Sequence, residues 1–307
     1  MKYGFLLALA GTLSLNATTF YLTVAGLGGE PEYEQRFSGW AKDMDKVLRG
    51  SPDSKVTTLY GPDATRAKVE AALAQITRDS KPDDALVLML IGHGTFDGLD
   101  YKINLPGPDL TAADLAALLD RIPAKRQLVV NMTSCSGASR AVLERPNRAI
   151  ITATKTGSEK NATIFARYWV EALRDPSADT DKNETISALE AFRYAEQKTA
   201  KFYETQKRLA TEHAMLEDTG KGEGVKDPSA ANGEGLVASR FPLLRTGSAQ
   251  IASSDPHKQA LMAHKDDLEQ QIDQLKYKKA ALDPDEYKQQ LTSLLLQLAK
   301  TQAELDK

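Results

Sequence analysis

The chain has 307 residues, 41% of them hydrophobic, and a formal net charge of −3. That apolar share supports a real core in one large domain, or in one domain with an appendage. The slightly acidic balance leaves no basic footprint for nucleic acid, and a single cysteine excludes both an internal disulfide and a cysteine-rich zinc site.

Residues 1–15 place one lysine ahead of a short apolar run, which reads as a secretory signal peptide cleaved near Ala17. Export to the periplasm or the medium is therefore expected. The competing reading is a buried first strand or helix. No other run approaches the roughly 20 apolar residues of a membrane span. Strand and helix signals then alternate: a strand at 20–26, a helix at 32–48, a strand at 55–60 and a helix at 65–79, closed by Pro82. The run ALVLMLIG at 85–92 is a third strand, and Thr111 opens a helix to 120. The run QLVVNMTSC at 127–135 is a fourth strand, 149–154 a fifth, and 163–173 an amphipathic helix. This alternation, with two strands almost wholly apolar, predicts an α/β fold with a mainly parallel sheet covered on both faces.

A long helix is expected from about 187 to 217. Residues 219–256, rich in Gly, Ser, Ala and Asp, read as a linker, with 235–242 as a candidate edge strand because Pro242 suits an edge. Beyond it, Leu261, Leu268, Leu275 and Leu282 recur every seven residues, Pro284 interrupts, and Tyr287, Leu291, Leu294, Leu298 and Leu305 form a second stripe. Two helices folded as a hairpin account for this pattern.

Cys135 ends the fourth strand and His93 follows the third. In an open parallel sheet both lie on the carboxyl edge, where ligands bind. A thiolate is the nucleophile, and an imidazole can lower the thiol pKa and protonate a leaving amine. Gly94 and Gly137 read as uncovered backbone beside each group, suited to holding a tetrahedral oxyanion.

His93-Gly94 and Ser134-Cys135-Ser136-Gly137, 42 positions apart from histidine to cysteine, resemble the legumain-like cysteine peptidases, relatives of the caspases. The resemblance spans about 20–216. It implies a caspase-like three-layer sandwich, with His93 as general acid/base, Cys135 as nucleophile, and the backbone amides of Gly94 and Cys135 as the oxyanion hole. Legumains carry an Arg after the first strand to hold an Asn or Asp side chain at the cleavage site, and Arg36 stands in a comparable place. Two positions earlier this chain has Glu34 instead of Asn, and two before the cysteine it has Thr133 instead of an acid. These departures allow selection of Asp or Glu as well as Asn. The implied division is a signal peptide at 1–17, a peptidase-like domain at 18–218, a linker at 219–256 and a helical hairpin at 257–307. Legumains also have a C-terminal helical segment over the site, so the hairpin is expected to be inhibitory or to dock a protein partner.

The implied reaction is cleavage of a peptide or protein substrate through an acyl-enzyme, with no cofactor required. Two alternatives remain open: a transamidase or ligase on the same dyad, and a caspase-like interaction module with little turnover. Asp179, Asp181, Asn183, Thr185 (backbone) and Glu190 match a twelve-residue calcium loop, except that Glu184 stands at the sixth position, where Gly is required. A calcium ion there would order the loop before the long helix. A polar loop with a capped helix is the competing reading. Asp97, Asp100 and Asp109 follow His93 and either orient the imidazole, face substrate or are solvated. His213 falls within the expected long helix and reads as structural, and Asn131 and Asn161 match glycosylation acceptors by chance pattern.

Overall fold

The computed structural model describes residues 17–51, 54–247 and 255–307, so the signal-peptide reading lies outside the described residues except for Ala17. The elements in chain order are β1 (Thr19–Ala25), α1 (Pro31–Leu48), β2 (Ser54–Leu59), α2 (Arg66–Asp79), β3 (Ala85–Ile91), β4 (Gly94–Phe96), β5 (Tyr101–Ile103) and β6 (Leu110–Thr111). They continue with α3 (Ala112–Leu119), β7 (Arg126–Asn131), α4 (Arg140–Leu143), β8 (Arg148–Thr152), α5 (Phe165–Ala172), β9 (Thr185–Ser187) and α6 (Ala188–Thr205). Last come β10 (Met215–Glu217), α7 (Leu236–Ser239), β11 (Pro242–Arg245), α8 (Pro256–Lys278) and α9 (Pro284–Leu305).

The main sheet has six strands in the order β10-β8-β7-β3-β1-β2. All its neighbouring pairs are parallel except β10 with β8, which is antiparallel. Side chains of β3 alternate faces: Val87, Met89 and Ile91 join a cluster with Phe37, Met44, Phe165, Trp169 and Phe192 from α1, α5 and α6. Leu86, Leu88 and Leu90 join the opposite cluster, with Leu73 of α2, Leu115 and Leu119 of α3 and Leu143 of α4. Both faces of the sheet are thus dry, which is why the central strand β3 carries no polar residue. The fold is the expected three-layer α/β sandwich with a mainly parallel sheet and a C-terminal helical hairpin.

Two stretches differ from the sequence reading. The helix expected to run to 217 stops at Thr205, where Lys207 takes φ +51 and the Arg208 N–H donates to the Tyr203 carbonyl at 3.0 Å. That is a left-handed helix end, usually made by glycine and built here on lysine. Residues 215–217 then form β10, which closes the sheet beside β8. The edge strand expected at 235–242 is instead the short helix α7, and Pro242 begins β11 rather than ending a strand. β11 pairs with β9 in a separate two-stranded sheet. Parts of the stretch read as linker are built in: Glu234 and Ala238 are buried, and Asp218 accepts from the backbone N–H groups of Gly235, Val237 and Ala238.

The hairpin helices both start with Asp N-caps followed by Pro: Asp255 for α8 and Asp283 for α9. Leu268, Ile272 and Leu275 are buried on α8, whereas Leu295 and Leu296 on α9 are exposed. The Tyr277 hydroxyl donates to the Glu234 carbonyl at 2.6 Å, and Asp266 pairs with Arg245 at 2.5 Å. Asp266, Glu269, Leu295 and Leu298 line a cavity of about 270 Å3 together with Arg126. Arg126 is the first residue of β7, so the hairpin is anchored at the amino ends of the strands. That is the edge opposite His93 and Cys135. The hairpin therefore does not lie over the candidate site, in contrast to the covering role that the resemblance implied.

Candidate active site

β3 and β7 are adjacent and in register from Ala85 with Arg126 to Leu90 with Asn131. Their continuations carry His93 and Cys135 out of the same edge. The two loops touch through Ser134: its hydroxyl accepts from the Gly94 N–H at 3.1 Å and donates to the Gly94 carbonyl at 3.1 Å. A Cβ on Gly94 would fall 2.5 Å from the Ser134 carbonyl oxygen and 2.8 Å from Tyr101. One on Gly137 would fall 2.4 Å from the Lys155 backbone. Both glycines are thus required by close packing of loops, not by the open backbone that the sequence reading supposed.

α1 builds a cradle for His93. Tyr33 and Phe37, one helical turn apart, meet the imidazole in T-shaped contacts at centroid distances of 4.9 and 5.2 Å. The Gly28 carbonyl faces the ring, and the Gly28 N–H is held by the Glu34 carboxylate at 2.7 Å. Burial holds the His93 pKa below its ordinary value, opposed by Gly28 and by Glu30. Burial therefore favours the neutral imidazole, the form able to accept a proton. Gly28 and the aromatic pair were not identified from the sequence; the four-residue spacing of Tyr33 and Phe37 was the available signal.

Cys135 is buried, with a left-handed φ of +57, four residues past the end of β7 and immediately before a 3-10 turn. A non-glycine residue there stores strain of about 1–2 kcal/mol. Burial pushes the thiol above its ordinary pKa, with Lys160 and the Phe96 backbone N–H opposing it. Burial thus favours the protonated thiol at Cys135 and the neutral ring at His93. The Cys135 N–H, expected to serve an oxyanion, donates to the Glu159 carbonyl at 2.9 Å. The Gly94 N–H is engaged by Ser134, so neither expected oxyanion donor is free in this conformation.

Arg36 pairs with Glu32 and lies 5.2 Å over the Tyr33 ring, which in turn meets His93. It is half-buried and one aromatic ring away from the imidazole. Thr133 is fully buried, and its hydroxyl is taken by Tyr101 and Asn131. The structure thus corrects its expected substrate contact: Thr133 fastens β7 to β5. Asp97 closes the β4–β5 turn by accepting from the Leu99 and Asp100 N–H groups, and Asp109 accepts from the Leu105 N–H, so both serve the loop. His213 is not helical, and its ring pairs with the Glu159 carboxylate.

In the calcium-like loop, carboxylate oxygens of Asp179, Asp181 and Glu190 lie within 4.8 Å of one another. Burial and the neighbouring Glu190 push Asp181 up to about 6. Glu184 takes φ +64, so the sharp turn forms without glycine. Internal donors occupy much of the site. Glu190 makes a capping box with Ser187 and accepts from Thr180, and the Asn183 amide bonds Asp181 and Glu269. Thr185 donates its N–H to the Asn183 side chain and pairs with Arg245 across β9 and β11.

Fold and site together define an α/β sandwich with a thiol and an imidazole at the carboxyl edge of its sheet. No family model matches the chain, and no curated protein matches it. It is similar in fold to a Geobacter sulfurreducens protein solved as a structural-genomics target, at 14% identity and a TM-score of 0.46, covering 75% of this chain and 99% of that one. It is similar to caspase-1 from Spodoptera frugiperda at 15% identity and a TM-score of 0.43, covering 60% of this chain and 76% of that one. A third likeness is to the Drosophila initiator caspase Dronc, at 9% identity and a TM-score of 0.44, covering 67% of this chain and 81% of that one. At these levels none of the three says what this chain does.

Proposed function

We propose that this chain is a cysteine endopeptidase of legumain-like type, with Cys135 as nucleophile and His93 as general base and acid. The observation that carries the reading is the contact of the two loops through Ser134 and Gly94, which brings the only thiol and an aromatic-cradled imidazole out of adjacent parallel strands. His93 takes the thiol proton as sulfur attacks the scissile carbonyl carbon. The carbonyl oxygen becomes an oxyanion, received by the Gly94 and Cys135 amides once their present acceptors withdraw. His93 then protonates the departing amine as the carbon–nitrogen bond breaks. Water, deprotonated by His93, attacks the thioester and releases the acid and the thiol. Arg36, freed from Glu32, would hold an acidic or amide side chain at the cleavage site. Export by a signal peptide at 1–17 completes the proposal.

Cleavage mapping tests it. The protein is incubated with a diverse peptide mixture, with and without calcium, beside Cys135→Ala, and new termini are read by mass spectrometry. Cuts that vanish in Cys135→Ala support the peptidase. Products joined to an added amine nucleophile would indicate a transamidase, and the absence of cuts under all conditions would leave the interaction module.

A further inference from the structure

We propose that segment 155–160 is an autoinhibitory latch over Cys135, held shut by the Glu159–His213 pair. The inference rests on the peptidase reading and specifies how its site is regulated.

Three contacts define the latch. The Glu159 carbonyl accepts the Cys135 N–H at 2.9 Å, so a protein oxygen stands where a substrate's oxygen would have to be received. Gly157 lies flat against the Phe96 ring, where a Cβ would fall 2.2 Å from Cδ1. The Phe96 backbone N–H faces the Cys135 sulfur, so this segment backs a residue that meets the thiol. The result is a nucleophile only 2% exposed, with its amide already occupied.

What keeps the segment in place is Glu159. One of its carboxylate oxygens accepts from the Lys155 N–H at 2.7 Å and from the His213 N–H at 3.2 Å. The other faces His213 Nδ1. His213 is fixed in turn, because the adjacent Glu212 carboxylate accepts from the Ile164 and Phe165 N–H groups at the start of α5. Residues 212 and 213 therefore clasp the far end and the middle of the loop that follows β8. The carboxylate of Glu159 is mostly covered while the His213 ring is about half exposed. The pair is thus reachable from solvent, and an approaching substrate or partner can break it without unfolding the core.

Alkylation of Cys135 reads the latch directly, since the chain has no other thiol. The full chain is treated with iodoacetamide at pH 7.5 and the modified fraction is followed by intact mass. Wild type is expected to react slowly, and His213→Ala and Glu159→Ala about tenfold faster or more. Glu159→Gln keeps an oxygen for the Lys155 and His213 N–H groups and an amide for the His213 ring, so its rate is expected to stay near that of wild type. Circular dichroism melts identify any variant that has merely lost its fold; such a variant would react fast with a lowered melting temperature. Alanine variants that label no faster than wild type, or a Glu159→Gln variant as fast as Glu159→Ala, would overturn the latch. Peptide cleavage measured in parallel separates the two proposals. Faster labelling with matching faster cleavage supports both, and faster labelling with no cleavage keeps the latch but overturns the peptidase reading.

Discussion

Glu212 offers a test of how burial and charge trade off in this fold. It is 3% exposed, yet its carboxylate accepts from the Ile164 N–H at 2.8 Å, the Phe165 N–H at 3.1 Å and the Tyr203 hydroxyl at 2.9 Å. Burial pushes its pKa from 4.5 up to about 7, with those three donors opposing the rise. The folded state therefore holds this proton more tightly than the unfolded chain. Linkage then makes stability fall as pH rises from 4.5 through 7, because ionisation costs the folded state more. At 1.36 kcal/mol per pKa unit, the loss from this group is about 3 kcal/mol by pH 8. Glu212→Gln cannot ionise. Its single oxygen still serves Ile164 and Tyr203, but its amide meets the Phe165 N–H, a mismatch worth about 1–3 kcal/mol. The variant is expected to be less stable than wild type at pH 5 and to draw level with it or overtake it by pH 8. Urea unfolding of both proteins at pH 5, 6, 7 and 8 measures this. Glu234 and Glu269 are also raised to about 7, so the difference between the two proteins isolates Glu212. A difference that stays constant across that range would refute the reasoning.

Other outcomes follow from the same geometry. Gly94→Ala puts a methyl group 2.5 Å from the Ser134 carbonyl, and a loss of about 1–3 kcal/mol is expected in chemical denaturation. Unchanged stability would mean that the two loops are not packed as described. Glu34→Ala frees the Gly28 N–H behind His93 and is expected to lower kcat about tenfold with KM unchanged, while Glu34→Gln largely restores it; a change in KM alone would sink this positioning role. Removing residues 255–307 is expected to leave the alkylation rate of Cys135 within about twofold of wild type, because distant sites act independently. A large increase would revive the idea that the hairpin covers the site.

The sheet was legible because β3 is buried on both faces and written as an unbroken apolar run, and β7 carries the buried stretch Leu128-Val129-Val130 at its centre. The placement of His93 and Cys135 on one edge followed from that alone. The end of α6 was not legible, since Lys207 takes the left-handed turn where glycine would have announced it. Residues 206–214 look helical in composition, and only pairing with β8 turns 215–217 into a strand. Thr133 was placed in the pocket by the resemblance, which sets an acid two positions before the cysteine, and the sequence does not tell which side of that loop faces the core. The state of the oxyanion donors was also beyond reach, since it depends on Glu159, 24 residues past Cys135 and brought back by the turn after β8.

The hairpin's attachment at the starts of the strands has a practical consequence for orientation. A six-residue strand such as β7 spans about 20 Å, and that length separates Arg126, beside α8, from the loop bearing Cys135. A molecule tethered through the part of α8 beside Arg126 would present its thiol edge outward, away from whatever it is tethered to.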